Sequence, residues 1–281
     1  MAAAAIALAL GCGGGGGSPA GPTAPATSPS PPSSAAANCA AFAMTGDPAA
    51  TGGARWTYAS VDSGERFVLE GVLFVPGGGG PFPAAVVSHG AGGSPANYSA
   101  AIARTMVGWG LAVIATRYTH AADFDSRNAS LLPAGGHGAS GANVARGFKA
   151  RALLGCVAGV DTTRVAAHGH SMGAFLTAEL VRTHPESIRT ASNTAGGARG
   201  GVLTTRTATA AAIRTPYQIH HGALDRVVNI ALDEALDAIL TASAVPHEFH
   251  RYPAYGHEEV AADPAMLDRV RDWYARHGVL R

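Results

Sequence analysis

A serine between two glycines is the first group in the chain whose context predicts reactivity. Residues 169–173 read GHSMG, with Ser171 at the centre of a G-x-S-x-G pattern. The apolar residues before the pattern predict a buried strand, and residues 174–182 have the composition of a helix. Between a strand and a helix, flanking glycines permit a sharp turn that strains the serine backbone and exposes its hydroxyl. The pattern therefore predicts that Ser171 is a nucleophile.

A base and an acid that would activate this hydroxyl follow it along the chain. A serine attacks a carbonyl group only when a neighbouring base accepts its proton, and that base needs an acid to orient it. Asp225 directly follows a predicted strand, whereas Asp233 and Asp237 lie on a predicted amphipathic helix, where we interpret them as solvated. Of the 12 histidines, His257 is the one between the last predicted strand and the last predicted helix. We therefore predict Ser171, Asp225 and His257 as nucleophile, acid and base.

The elements that must position these residues alternate along the chain. From residue 83 onward, apolar runs that predict strands alternate with segments that predict helices, an order typical of a parallel α/β sheet. Residues 55–61 and 66–75 come first and predict an antiparallel hairpin. We expect a mostly parallel sheet of about eight strands with helices on both faces. Residues 196–212 are small and polar, so no substantial cap domain is predicted.

Four short segments resemble the α/β-hydrolase superfamily. In chain order they are SHG at residues 88–90, GHSMG at 169–173, HGALDRVV at 221–228 and GH at 256–257. From residue 55 to the C-terminus, the chain is most similar to the dienelactone-hydrolase-like and platelet-activating-factor-acetylhydrolase-like esterases.

This resemblance implies an α/β-hydrolase fold and supports the choice of acid. Family members use the aspartate of H-G-x-x-D-x-x-V as the acid of the triad, which is Asp225 here. A dienelactone hydrolase proper resembles this chain except that it carries a cysteine nucleophile. Ser171 therefore favours carboxylic esters in general.

Acyl transfer also needs hydrogen-bond donors for the negative charge that develops on the carbonyl oxygen. The backbone N–H of Met172 meets this need, because it lies at the positive end of the helix predicted to start there. The resemblance implies that the second donor follows His89 and Gly90. That donor is the N–H of Ala91, with Gly92 as the alternative.

Together these residues predict a serine hydrolase that cleaves carboxylic esters through an acyl-enzyme intermediate. Within the same fold, a polyester or cutin-type hydrolase and a serine peptidase of the prolyl-oligopeptidase kind are alternatives. A non-catalytic binding lipoprotein is the alternative from another class. No cofactor is predicted. No metal site is predicted either, because His220 and His221 are adjacent and so diverge on a strand, and the cysteines lack C-x-x-C spacing.

Composition restricts the partners. The net charge is +1 and no run of basic residues occurs, which argues against binding to nucleic acid or to an anionic membrane surface. The expected partner is a small-molecule ester, with acyl group, leaving group and oligomeric state left open.

The N-terminal segment predicts export. Residues 1–12 combine a short apolar run with the ending ALGC, which resembles a bacterial lipobox in which Cys12 is lipidated. Ordinary signal cleavage beside an unmodified Cys12 is the alternative. Residues 13–49 are dominated by Gly, Ser, Pro and Ala and predict a disordered tether, and residues 50–281 form the predicted catalytic domain. A lipoprotein of the bacterial envelope or a secreted protein is expected, with membrane contact only through the lipid.

The chain contains three cysteines, and two remain once Cys12 is assigned to the anchor. In an oxidising compartment, Cys39 and Cys156 are expected to form a disulfide. Two buried free thiols are the alternative.

Overall fold

The computed structural model of the protein describes residues 39–62, 65–122, 124, 138–198 and 212–281. The predicted signal segment with Cys12 and the predicted tether up to residue 38 lie outside these residues. Within the described ranges, no helix combines the length and the apolar content needed to cross a bilayer.

A nine-stranded sheet forms the centre of the described part of the chain. Its strands are β1 (Phe42–Thr45), β2 (Ala54–Asp62), β3 (Glu65–Phe74), β4 (Phe82–Ser88), β5 (Ala112–Thr116), β6 (Val160–His170), β7 (Thr190–Thr194), β8 (Tyr217–Gly222) and β9 (His247–Tyr252). Their order in space is β1-β2-β3-β5-β4-β6-β7-β8-β9. Pairing is antiparallel from β1 through β3 to β5 and parallel from β5 through β4 to β9. The predicted mostly parallel sheet with a leading antiparallel hairpin is confirmed.

The sheet has one strand more than the eight predicted, and this additional strand is β1. It lies inside the segment predicted to be the tether. It pairs antiparallel with β2, with Phe42 opposite Tyr58 and the Phe42 ring centroid 6.0 Å from that of Trp56. A run of four residues is too short to show the alternation of apolar and polar residues that predicts a strand. The residues that pair with it lie in β2, further along the sequence. The folded domain therefore begins before the predicted residue 50.

Six helices of the described residues cover the two faces of the sheet. They are α1 (Ala100–Gly108), α2 (Gly141–Leu153), α3 (Met172–Thr183), α4 (Ala231–Ala242), α5 (His257–Ala262) and α6 (Pro264–Arg276). A π-helical turn, Pro95–Ser99, leads into α1, and a 3₁₀ turn, Leu154–Cys156, follows α2. Residues of α2, α3 and α4 share one buried apolar cluster, and residues of α1, α5 and α6 share another.

The central strands fill both clusters because successive side chains point to opposite faces of a sheet. All five residues of β5 are buried. Ala112 and Ile114 belong to the cluster with α2–α4, whereas Val113 and Ala115 belong to the cluster with α1, α5 and α6. Each fully buried Val or Ile contributes roughly 1.5–3 kcal/mol relative to an exposed one. Strands β4, β6, β8 and β9 all run parallel within this sheet, so their carboxyl ends meet at one edge.

The structure contains the expected disulfide between Cys39 and Cys156. Cys39 precedes β1, and Cys156 ends the 3₁₀ turn just before the strand that leads to Ser171. The bond links positions separated by 117 residues and ties the start of the domain to the base of β6.

Removing this disulfide should destabilise the protein, because a long covalent loop restricts the unfolded chain. For a loop of this length, we expect the Cys39→Ser/Cys156→Ser variant to lose about 3–5 kcal/mol of unfolding free energy. Guanidinium unfolding of the variant and of wild type, with and without reductant, measures the loss. Reductant should lower only the wild-type stability, and equal stability of all four samples would contradict the prediction.

Candidate active site

Ser171 occupies a strained turn between β6 and α3. Its backbone has φ 53° and ψ −121°, in the left-handed range that costs a non-glycine residue roughly 1–3 kcal/mol. Its N–H donates to the Thr194 carbonyl at 3.0 Å, which fixes the turn against β7. The flanking glycines are required by space: a Cβ on Gly169 would overlap the carbonyl of Gly173, and a Cβ on Gly173 would overlap the carbonyl of Ser88.

Asp225 and His257 come together across the ends of β8 and β9. Nδ1 of His257 lies 2.7 Å from Oδ2 of Asp225, a short hydrogen bond between two buried side chains. The other carboxylate oxygen accepts the backbone N–H groups of Val227 and Val228 at 2.7 and 2.8 Å. Burial alone would raise the pKa of Asp225, but the hydrogen bonds from His257, Val228 and Val227 outweigh it and hold the pKa below its usual value. The Asp225 side chain is therefore a carboxylate at neutral pH.

Ser171 and His257 line one pocket of about 210 Å³ at this edge of the sheet. Its other lining residues include Ala91, Tyr98, His170, Val227 and Glu258. Among the described residues, none makes a hydrogen bond with the Ser171 hydroxyl. The structure thus brings the predicted base and acid into direct contact and places the predicted nucleophile at the same pocket.

The two predicted oxyanion donors also lie beside Ser171. Met172 is the first residue of α3. The loop after β4 is packed closely enough that a Cβ on Gly90 would lie 3.0 Å from the Ser171 Cβ. The N–H of Gly92 already donates to the His120 carbonyl at 2.9 Å, whereas the N–H groups of Ala91 and Met172 donate to no described residue. This geometry favours Ala91 over Gly92 as the second donor.

Asp233 differs from the sequence-based interpretation, which placed it in solvent. It is fully buried, and its Oδ2 lies 2.7 Å from Nδ1 of His221. The other ring nitrogen of His221 lies 3.0 Å from the Val228 carbonyl and 3.3 Å from Oδ2 of Asp225. The helical spacing of the sequence could have indicated this burial, because Asp233 lies on the same apolar face of α4 as Leu236 and Leu240.

His221 is therefore held between two buried carboxylates. Burial alone would lower its pKa, but the hydrogen bond and charge of Asp233, the Val228 carbonyl and the charge of Asp225 outweigh it and raise the pKa above its usual value. The sequence alone indicates no role for His221, because its partner Asp233 belongs to a helix that follows later in the chain.

The structure also places together side chains that could hold a cation, although the sequence predicts no metal site. His170, His257 and Glu258 each present a ligand atom, and these atoms lie within 4.8 Å of one another. His170 comes from the end of β6, and the other two come from the start of α5. Sequence spacing could not show this grouping, because it joins residues almost ninety positions apart through the parallel sheet.

The sequence model of the dienelactone hydrolase family matches residues 69–271, which is well over half of the chain. None of the curated proteins compared with the chain matches it significantly.

Several solved structures share the fold at low sequence identity. A cold-adapted esterase from an Arctic intertidal metagenomic library has a TM-score of 0.62 and 18% identity, over 81% of this chain and 94% of that one. An S-formylglutathione hydrolase from Agrobacterium tumefaciens has a TM-score of 0.58 and 16% identity, over 84% and 99%. A puromycin-hydrolyzing peptidase from Mycobacterium tuberculosis has a TM-score of 0.61 and 16% identity, over 79% and 39%. The sheet topology, these structures and the family match together show that the chain has the α/β-hydrolase fold and is a hydrolase belonging to the dienelactone hydrolase family.

Proposed function

We propose that this protein hydrolyses carboxylic esters through a Ser171–His257–Asp225 triad and an acyl-enzyme intermediate. The observation that carries the proposal is the 2.7 Å contact between His257 and Asp225 at the pocket that Ser171 lines. His170 is a weaker choice as the base, since its Nδ1 lies 3.0 Å from the Thr194 hydroxyl and not beside a carboxylate.

In this mechanism, Nε2 of His257 accepts the Ser171 proton as Oγ attacks the ester carbonyl. The imidazolium is stabilised by the Asp225 carboxylate, which holds Nδ1–H and stays ionised throughout. When the carbon–oxygen bond of the ester breaks, the proton passes from Nε2 to the departing alcohol. A water molecule then attacks the acyl-enzyme, His257 accepts and returns a proton, and the carboxylic acid leaves Ser171 free.

The N–H groups of Met172 and Ala91 are the proposed donors to the oxyanion. Both act from backbone positions fixed beside Ser171, so they need no reorganisation when the charge develops. The absence of a hydrogen bond between Ser171 and His257 is compatible with this role, because catalytic hydrogen bonds often tighten only around a bound substrate.

The proposed substrates are small esters that can use an apolar rim at the pocket. Val227, which lines the pocket, is 72% exposed, and Leu224 nearby in the same loop is 59% exposed. Exposed apolar side chains at a site of hydrolysis supply contact area for an acyl or alcohol group. A panel of p-nitrophenyl esters of increasing chain length, the matching anilides and a polyester film separates this proposal from a peptidase and from a polyester hydrolase.

Export of the protein is also proposed. The Cys39–Cys156 disulfide supports it, because thiols stay reduced in the bacterial cytoplasm. Lipidation of Cys12 remains a prediction from the sequence. The intact mass of protein recovered from the envelope fraction tests it, since an unmodified N-terminus there would exclude the anchor.

Removing the proposed nucleophile or the proposed base should abolish ester hydrolysis without unfolding the protein. We expect Ser171→Ala, His257→Ala and the double variant to be similarly inactive, because triad members act as a unit. Initial rates with p-nitrophenyl acetate, together with thermal unfolding of each variant, measure this. Losses that multiply in the double variant would contradict the assignment.

Asp225→Asn provides the matched test of the acid. It should lower kcat by about 10³–10⁴, because the amide favours the wrong histidine tautomer. Asp237→Asn serves as its control, because Asp237 is a half-buried residue of α4 that pairs with His247 outside the pocket, and it should leave kcat within a factor of two (roughly 0.4 kcal/mol).

The buried His221–Asp233 pair should stabilise the domain and position Asp225. Asp233→Asn should lower the unfolding free energy by roughly 1.5–3 kcal/mol, the worth of a hydrogen bond to a charged group, and should lower kcat less than Asp225→Asn does.

The raised pKa of His221 makes this stabilisation depend on pH. The contribution is fully present below the unfolded pKa of about 6.5 and is lost as the pH rises through the folded pKa. Urea unfolding should therefore show the largest difference from wild type near pH 6 and a smaller one at high pH. A difference that grew with pH would contradict the charged state of His221.

A further inference from the structure

His170 is a buried side chain with an unused ring nitrogen. The residue is 3% exposed, and its Nδ1 lies 3.0 Å from the Thr194 hydroxyl. Its Nε2 makes no hydrogen bond with any described residue, although His170 lines the pocket of Ser171. Leaving a buried polar atom unpaired costs about 1–3 kcal/mol, so such an atom calls for an explanation.

Two further ligand groups face this nitrogen. The imidazole rings of His170 and His257 have centroids 4.7 Å apart, and Oε2 of Glu258 lies 3.6 Å from Nε2 of His170, which is longer than a hydrogen bond. Since Asp225 holds Nδ1 of His257, the nitrogen left for a ligand on that ring is Nε2. Two imidazole nitrogens and a carboxylate oxygen thus converge at one wall of the pocket.

We propose that a divalent transition-metal ion of the Zn²⁺ class binds to Nε2 of His170, Nε2 of His257 and the carboxylate of Glu258, and that it inhibits hydrolysis when bound. Two histidines and one glutamate are a ligand set that Zn²⁺ uses in proteins, with a fourth position left open. Nitrogen ligands disfavour Ca²⁺ and Mg²⁺, which prefer oxygen.

The surrounding contacts suit metal ligation. In a tetrahedral site with bonds of about 2.0–2.1 Å, ligand atoms lie about 3.4 Å apart, close to the separation already present between His170 and Glu258. The Glu258 side chain is 78% exposed and can adjust, whereas the two rings are fixed. The Asp225 carboxylate accepts from Nδ1–H of His257 and so leaves Nε2 of that ring unprotonated, and the Thr194 hydroxyl can accept from Nδ1–H of His170 in the same way.

Inhibition follows from the identity of the shared atom, and this step rests on the proposed function. Nε2 of His257 is the proposed acceptor of the Ser171 proton, and a metal ion would occupy the same lone pair. Metal binding and general-base catalysis are therefore mutually exclusive at His257.

Binding is tested without catalysis by titrating Zn²⁺ into the untagged Ser171→Ala protein in a calorimeter. We expect one site, with affinity lowered at least roughly 10-fold by adding Glu258→Gln and lowered further by adding His170→Asn. His247→Asn is the matched control, because His247 pairs with Asp237 at 3.3 Å outside the pocket, and it should leave the affinity unchanged. Thermal unfolding without metal checks that each protein is folded, and the exposed Glu258 position carries the test if His170→Asn does not fold.

Inhibition is tested on the wild-type protein with p-nitrophenyl acetate, each variant being compared with its own metal-free rate. Zn²⁺ should inhibit hydrolysis, a chelator should restore it, and Glu258→Gln should raise the half-inhibitory concentration by the factor seen in calorimetry. Calorimetric affinities unchanged by both substitutions, or hydrolysis that continues at saturating Zn²⁺, would overturn the proposal. A bound metal in a wild-type protein without esterase activity would instead overturn the proposed function and leave the site standing.

Discussion

The backbone of Ser171 is the constraint on which the rest of the site depends. Its left-handed conformation at the junction of β6 and α3 is held by the Thr194 carbonyl and needs glycine at 169 and 173, where any Cβ would meet backbone atoms. The apolar core on both faces of the sheet offsets this strain, because it fixes β6 between β4 and β7. Parallel strands then bring the loops that carry Ala91, Asp225 and His257 to the same edge.

Most of this arrangement could be predicted, because it depends on short segments. The strand–turn–helix around Ser171 and the strand-end positions of Asp225 and His257 are visible in runs of about ten residues. What could not be predicted depends on pairing across the fold. Strand β1 pairs with the edge that β2 offers, and the buried Asp233 carboxylate is satisfied by His221, Asn193 and the Gly196 N–H, which lie elsewhere in the sequence. A charged residue on an apolar helical stripe is the one local sign that Asp233 has a buried partner.

Acidic and histidine side chains alternate in an unbroken chain of contacts from the core to the pocket. Asp233 and Asp225 hold His221 between them, and Asp225 in turn holds His257. The inner histidine, His221, is favoured as a cation, which supports the ionised state of Asp225, while the outer one, His257, is the proposed proton acceptor. The same outer ring lies beside His170, so the lone pair proposed to accept the Ser171 proton would also complete the proposed metal site. The two proposals thus share one nitrogen atom, Nε2 of His257.

The most direct test of the central claim is covalent labelling with an alkyl fluorophosphonate. An activated serine forms an oxygen–phosphorus bond and releases fluoride, whereas ordinary serines react far more slowly. The account predicts a single adduct on Ser171, located by tandem mass spectrometry, and loss of rapid labelling in folded His257→Ala protein. Rapid labelling of another residue, or equally rapid labelling of Ser171 without His257, would contradict it.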